Sequence, residues 1–267
     1  MSEDVREFID ELIRAYRLKP ATQREMCLFG MSSCGRAYGH LLRYHIGFSY
    51  EAIGARGDVT GWHTLINEER IRTEMEKFVR DKAAVAAACA AARQIHEYSV
   101  ARLNEARAVA AQSPENCLQL IAEMYPKYMT GIGIYNCFWR YLGNNPAASV
   151  LVDDMVAKIS RERGEMATVY PQVEQLLTDT TRAISERDHT DADLLRFCIG
   201  DELAAYTANR RADWAELERR RQGYLYFYVE RENKESIFTD SDALAYADQQ
   251  YFFIDEKNIT EVRGHGA

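Results

Sequence analysis

Two histidines and a cysteine fall in one short stretch, MSSCGRAYGHLLRYH, as Cys34, His40 and His45. On a helix at ~3.6 residues per turn, His40 and His45 stand about 140° apart. A zinc helix places its two histidines at i and i+4, on one face. His40 and His45 therefore read as structural or surface residues. Cys34, within SSCGR, has the setting of a nucleophile, but no partner histidine can be assigned to it. A buried thiol is the better reading. Gly35-Arg36-Ala37-Tyr38-Gly39 lacks the GK[ST] ending of a phosphate loop, and the chain contains no GxGxxG. On a helix, Gly35 and Gly39 share a face and admit a close neighbour.

An aromatic cluster follows later: Tyr125, Tyr128, Tyr135, Phe138, Trp139 and Tyr141. Such a cluster either packs between helices or lines a ligand pocket, and packing is the simpler account. If a pocket exists, Tyr128, Tyr135 and Trp139 are its candidate lining. Arg210-Arg211 and Arg219-Arg220-Arg221 form a basic patch. Glu216 and Arg220 are i, i+4 partners, and cations suit a helix C-terminus, so the patch reads as a solvated face. Carboxylates are plentiful, yet no pair stands out as acid and base. The residues themselves assign no catalytic group and no metal ligands.

The totals narrow the classes. The chain has 267 residues and a formal net charge of −8, which argues against general binding to nucleic acid. No run of about 18 apolar residues suggests a membrane span. The N-terminus, MSEDVREFIDELIRAY, lacks the basic start and apolar core of a signal peptide. Six cysteines, Cys27, Cys34, Cys89, Cys117, Cys137 and Cys198, never form a CxxC. They read as reduced, mostly buried thiols, and a cytoplasmic protein is expected.

The elements that must position these residues are mostly helical. The longest signal spans Phe78 to Ala111, rich in alanine and free of Gly and Pro. At roughly 1.5 Å per residue it makes a helix about 50 Å long, a spine for other helices to pack on. Val5, Phe8, Ile9, Leu12, Ile13 and Tyr16 form an amphipathic stripe that ends at Lys19-Pro20. A helix is expected from Thr22 to His45, a loop from Gly47 to Gly61, and a helix again from Trp62 to Lys77, capped by Thr64 or Asn67. Ser113-Pro114 opens a helix to about Leu142, bent by Pro126 and by Gly131 and Gly133. Gly143-Asn144-Asn145-Pro146 is a turn, and further helices follow to Arg221. After Gly223, YLYFYVE and SIFT read as a β-hairpin, and Thr239 or Asp240 caps a short helix. NITEVRGHGA begins as a strand.

The last quarter resembles the stretch leading into the phosphohistidine swivelling domain of phosphoenolpyruvate synthase-like (PEP-utilising) proteins. The residues that carry the resemblance are Asp201-Glu202-Leu203, then Leu217-Glu218-Arg219-Arg220-Arg221-Gln222-Gly223-Tyr224. The hairpin, the helix around Ala243-Leu244-Ala245, and Glu261-Val262-Arg263-Gly264-His265-Gly266-Ala267 complete it. The resemblance implies partners: an ATP-grasp domain and a swivelling domain, in the same chain or separate. ATP and Mg are implied only for those other domains, with no cofactor in this segment. His265 does not match the phosphorylated histidine of the family, and no catalytic residue carries over.

The expected fold is therefore mostly α: an antiparallel helical bundle with a long Ala-rich spine. A helical domain covers 1–222, and a small α+β appendage, hairpin plus short helix, covers 223–267 and leads toward a swivelling domain. The expected function is that of a central helical scaffold in a PEP synthase-like phosphotransferase or kinase, not catalytic by itself. The chain is then either a piece of a longer protein or a free-standing module. The alternative is a free-standing helical module that binds a ligand or a partner.

Overall fold

Six consecutive residues, Tyr224–Val229, set the architecture as strand β4, and every one of them is buried. Side chains alternate along a strand. Tyr224, Tyr226 and Tyr228 enter the larger apolar core, while Leu225, Phe227 and Val229 enter a smaller one. A strand buried on both faces must lie inside a sheet covered by two layers. The computed structural model, which describes residues 3–143 and 153–252, has that arrangement.

Among the described residues the sheet has five antiparallel strands in the order β1-β3-β2-β4-β5. They are β1 (Lys19–Arg24), β2 (Ala52–Asp58), β3 (Gly61–Ile66), β4 and β5 (Lys234–Phe238). The smaller core lies under α1 (Glu3–Tyr16) and α11 (Ser241–Ala247), with Ile9, Leu12, Ala243 and Ala247 against Leu65 and Phe227. The remaining α-helices among the described residues belong to the larger core, on the opposite face. They are α2 (Leu28–Arg36), α3 (Arg43–Ile46), α4 (Glu68–Phe78), α5 (Lys82–Ala110), α6 (Pro114–Gly143), α7 (Asp153–Ala167), α8 (Val169–Asp188), α9 (Gly200–Asn209) and α10 (Trp214–Gln222).

The mostly helical class holds. The sheet exceeds the expected hairpin, because β1, β2 and β3 lie in segments that read as helix or loop. Gly54 and Gly57 gave β2 its loop-like look. They are instead places where rings of β4 cross the strand: a Cβ on Gly54 would stand 2.8 Å from Phe227 Cε1. Glycine inside a strand marks such close approach. Pro20 sits in β1, an edge strand, where a missing N–H is tolerated. The helix expected from Thr22 begins only at Leu28, and the one expected from Trp62 begins only after the Asn67 cap. The segment after Gly223, expected as an appendage, supplies β4, which pairs with β2.

The long helices also trade places with expectation. Burial on α5 is confined to one stripe, including Val85, Ala88, Ala92, Leu103 and Ala106. It packs along α6, whose Leu118, Tyr125, Tyr128, Ile134 and Phe138 are all buried. The helix that others surround is α6, because it carries the bulky apolar residues, whereas alanine gives α5 little area to bury. Pro126 lies inside α6, which continues through it. Gly35 and Gly39 do meet close neighbours, the rings of Tyr226 and Tyr228. Asp240 caps α11, as expected. The turn at 144–146, the strand from 258 and His265 lie outside the described residues.

Candidate anion-binding site

The sheet and the helical layer do not close completely beside the β1–β3 edge. A cavity of about 50 Å³ remains there. Its floor is Thr22 and Arg24 of β1, Ile53 of β2, and Trp62, Thr64 and Ile66 of β3. Its roof is Cys34, Tyr38, Asn136, Trp139, Arg140 and Arg163.

Local structure explains each placement. Arg24 and Trp62 are direct partners in the β1–β3 ladder, so they share a face. Between Pro20 and Gln23 the register shifts, and this bulge brings Thr22 against Thr64. Their hydroxyls lie 2.9 Å apart, and the Thr22 N–H donates to Thr64 Oγ1 at 3.0 Å. Asn136, Trp139 and Arg140 follow the i, i+3, i+4 pattern along α6 and so project together. Tyr38 sits in a π-helical turn, Ala37–Leu41, where the Leu42 N–H bonds the Ala37 carbonyl at 2.9 Å. Such turns recur at functional sites.

The polar groups are arranged around positive charge. Arg163 Nε donates to Asn136 Oδ1 at 2.8 Å, and Asn136 Nδ2 donates to the Tyr38 hydroxyl at 2.6 Å. The Arg163 guanidinium also lies 4.9 Å from the centre of the Trp139 ring. Arg140 pairs with Glu68, the first residue of α4. Arg24 donates to its neighbouring Gln23 carbonyl at 2.8 Å. Among the described residues no carboxylate pairs with Arg24 or Arg163. Burial holds the pKa of Arg163 below its ordinary value, and the charges of Arg24 and Arg140 push the same way. Trp62 is buried, and its indole N–H has no hydrogen-bond partner among the described residues. Chemically, the cavity offers donors and positive charge, the requirements of an oxyanion.

The residues singled out from the sequence divide. Trp139 is half exposed at this cavity. Tyr128 and Tyr135 are buried elsewhere: the Tyr128 hydroxyl donates to the Met166 carbonyl at 3.1 Å, and that of Tyr135 to Glu162. Cys34 lines the cavity as a buried thiol, pushed up to about 12 by desolvation, so it is protonated at neutral pH. His40 meets Tyr44 at 3.2 Å and Glu230 at 3.4 Å. In the basic patch, Arg220 is 7% exposed and is held by Glu202 at 2.6 Å and Glu216 at 3.0 Å, so it braces helices rather than facing solvent. Arg219 and Arg221 make surface ion pairs with Glu216 and Asp191.

Sequence reasoning missed Arg24, Arg140 and Arg163, which lie on three distant elements. One local signal existed: Asn136 and Arg140 are polar residues set at helical spacing in the apolar run IYNCFWRYL.

No protein-family model, curated protein or solved structure matches this chain. The geometry of the cavity therefore carries the functional reading.

Proposed function

We propose that this protein is a binding module for a small anion, held between the β1–β3 edge and α6–α7. The observation that carries this is the convergence of Arg24, Arg140 and Arg163 on one cavity, with Glu68, paired to Arg140, the one carboxylate among the described residues that pairs with any of them. Partly desolvated cations without counter-charges are costly, and a bound anion removes that cost. Thermal melting of the protein at equal ionic strength in chloride, acetate, sulfate and phosphate tests it. A ligand that binds only the folded state raises the melting temperature by mass action. At least one oxyanion raises it above the chloride value, and Arg163→Gln loses that rise. Equal melting in all four salts overturns the reading.

A second reading rests on the resemblance: a scaffold working beside ATP-grasp and phosphohistidine swivelling domains. Its support is that a hairpin, β4–β5, and a short alanine-bearing helix, α11, occur in the order the resemblance requires. ATP and Mg then belong to the other domains. On this reading the isolated chain takes no label from ATP or phosphoenolpyruvate, and labelling of His265 would sink it. Six free, buried cysteines suit the cytoplasmic location expected from the sequence. Among the described residues no helix is long and apolar enough to cross a membrane.

A further inference from the structure

The charge and shape of the cavity narrow the class of anion. Resting on the anion-binding reading, we infer that the ligand is a phosphoryl dianion: inorganic phosphate, or the phosphate of a monoester whose organic part leaves past Trp139.

Charge is the first argument. Three arginines line the cavity and one carboxylate, Glu68, pairs with one of them, Arg140, so two positive charges are in excess among the described residues. A monocarboxylate would neutralise half of that. A phosphate group carries about −1.5 to −2 near neutral pH.

Donor placement is the second. The donor-bearing residues come from opposite sides: Arg24 and Trp62 from the sheet, Arg140 and Arg163 from the helices. The Trp62 N–H is buried and has no hydrogen-bond partner among the described residues. A planar carboxylate accepts close to a single plane, at about four lone-pair sites on two oxygens. A tetrahedral group presents oxygens to the floor and the roof at once.

Size is the third. A water needs about 10–15 Å³ of such space, so a cavity of about 50 Å³ holds roughly three to five water-sized groups. That accommodates the oxygens of one phosphate and leaves no room inside for the organic part of an ester. Any ester group must lie at the mouth, where Trp139 is 50% exposed.

Glu68 then has a role of its own. It is 43% exposed and pairs with Arg140, which is 13% exposed. It competes with the ligand for the same guanidinium. Removing its charge frees Arg140 and adds one more unit of excess positive charge.

Isothermal titration of the full chain tests this with four probes: inorganic phosphate, sulfate, acetate and phenyl phosphate. Phosphate and sulfate bind at least tenfold tighter than acetate. Arg24→Gln and Arg163→Gln each weaken phosphate at least tenfold. Glu68→Gln tightens it severalfold, a gain that misfolding cannot produce. If free phosphate is the ligand, phenyl phosphate binds no better than phosphate. If a monoester is the ligand, phenyl phosphate binds tighter and Trp139→Ala removes only that surplus. Acetate binding as well as phosphate overturns the dianion inference and leaves the anion-binding reading standing. No heat from any probe at millimolar concentration overturns both, and unchanged binding in Glu68→Gln overturns the role given to Glu68.

Discussion

Asn136 on α6 accepts from Arg163 Nε at 2.8 Å and donates to the Tyr38 hydroxyl at 2.6 Å. One amide thus fixes the direction of a guanidinium on α7 and of a phenol in the π turn. Its value lies in being neutral, since it orients a cation without cancelling its charge.

Asn136→Asp separates those two properties. The carboxylate keeps an acceptor for Arg163 but removes one unit of the excess charge. The ion pair it makes with Arg163 is partly buried, so stability changes little, because gain and desolvation oppose each other. Anion affinity falls by about tenfold or more, equivalent to ~1.4 kcal/mol. Urea denaturation and phosphate titration on the same variant check both halves. Undiminished affinity would mean that charge excess is not what the cavity uses.

Gly35 and Gly39 offer a prediction with an unusual sign. Glycine to alanine in a helix ordinarily stabilises by about 0.5–1 kcal/mol. Here a Cβ on Gly35 would run into the Tyr226 hydroxyl, and one on Gly39 into the Tyr228 ring. Tyr226 cannot step aside freely. It donates to Glu235 at 2.9 Å, and Glu235 also holds Ser32 and Arg36. Overpacking costs about 1–3 kcal/mol and outweighs the helical gain. Gly35→Ala therefore lowers the urea midpoint, whereas Gly164→Ala, whose Cβ would meet nothing within 4 Å, raises it or leaves it unchanged.

These glycines show what was legible. The i, i+4 spacing of Gly35 and Gly39 promised a close neighbour on one helix face, and the tyrosines of β4 are that neighbour. YLYFYVE read correctly as strand, since three tyrosines, a phenylalanine and a valine in six residues leave little alternative. The partner strands did not. KPATQR has no alternation to reveal, and AIGARGD carries two glycines that exist because rings of β4 need their space. Long-range pairing settles such weak segments, and sequence alone does not hold that information. The arginine cavity was hidden for the same reason, since β1, α6 and α7 meet only in the fold.

Glu174 on α8 predicts a pH dependence. It is half-buried against the start of α2, where Oε1 accepts from the Tyr125 hydroxyl at 2.8 Å and Oε2 from the Cys27 N–H at 3.2 Å. Burial pushes its carboxyl above the ordinary range, against the hydrogen bonds that favour the charged form. A raised carboxyl binds its proton more tightly folded than unfolded. Its contribution to stability is complete below the unfolded pKa, ~4.3, and is lost as pH rises from there through the folded value. Glu174→Gln cannot ionise, and its amide can still accept from Cys27 and donate to Tyr125. Melting curves from pH 4 to pH 8 show the wild type losing stability relative to the variant as pH rises. Parallel curves would exclude Glu174 as the titrating group.

Trp62 gives a prediction in which free and ligand-bound protein respond differently. Its buried indole N–H has no partner among the described residues, a cost of about 1–3 kcal/mol that Trp62→Phe removes. The same change leaves a larger void, at a cost of similar size. The two oppose each other, and the free protein melts within a few degrees of wild type. In the bound protein the indole N–H donates to a charged oxygen, a hydrogen bond contributing about 1.5–3 kcal/mol. Trp62→Phe therefore weakens phosphate by about tenfold or more while barely moving the melting temperature without ligand. A variant that melts much lower even without phosphate would make Trp62 a packing residue. A variant that binds phosphate as wild type does would leave the indole with no part in the site.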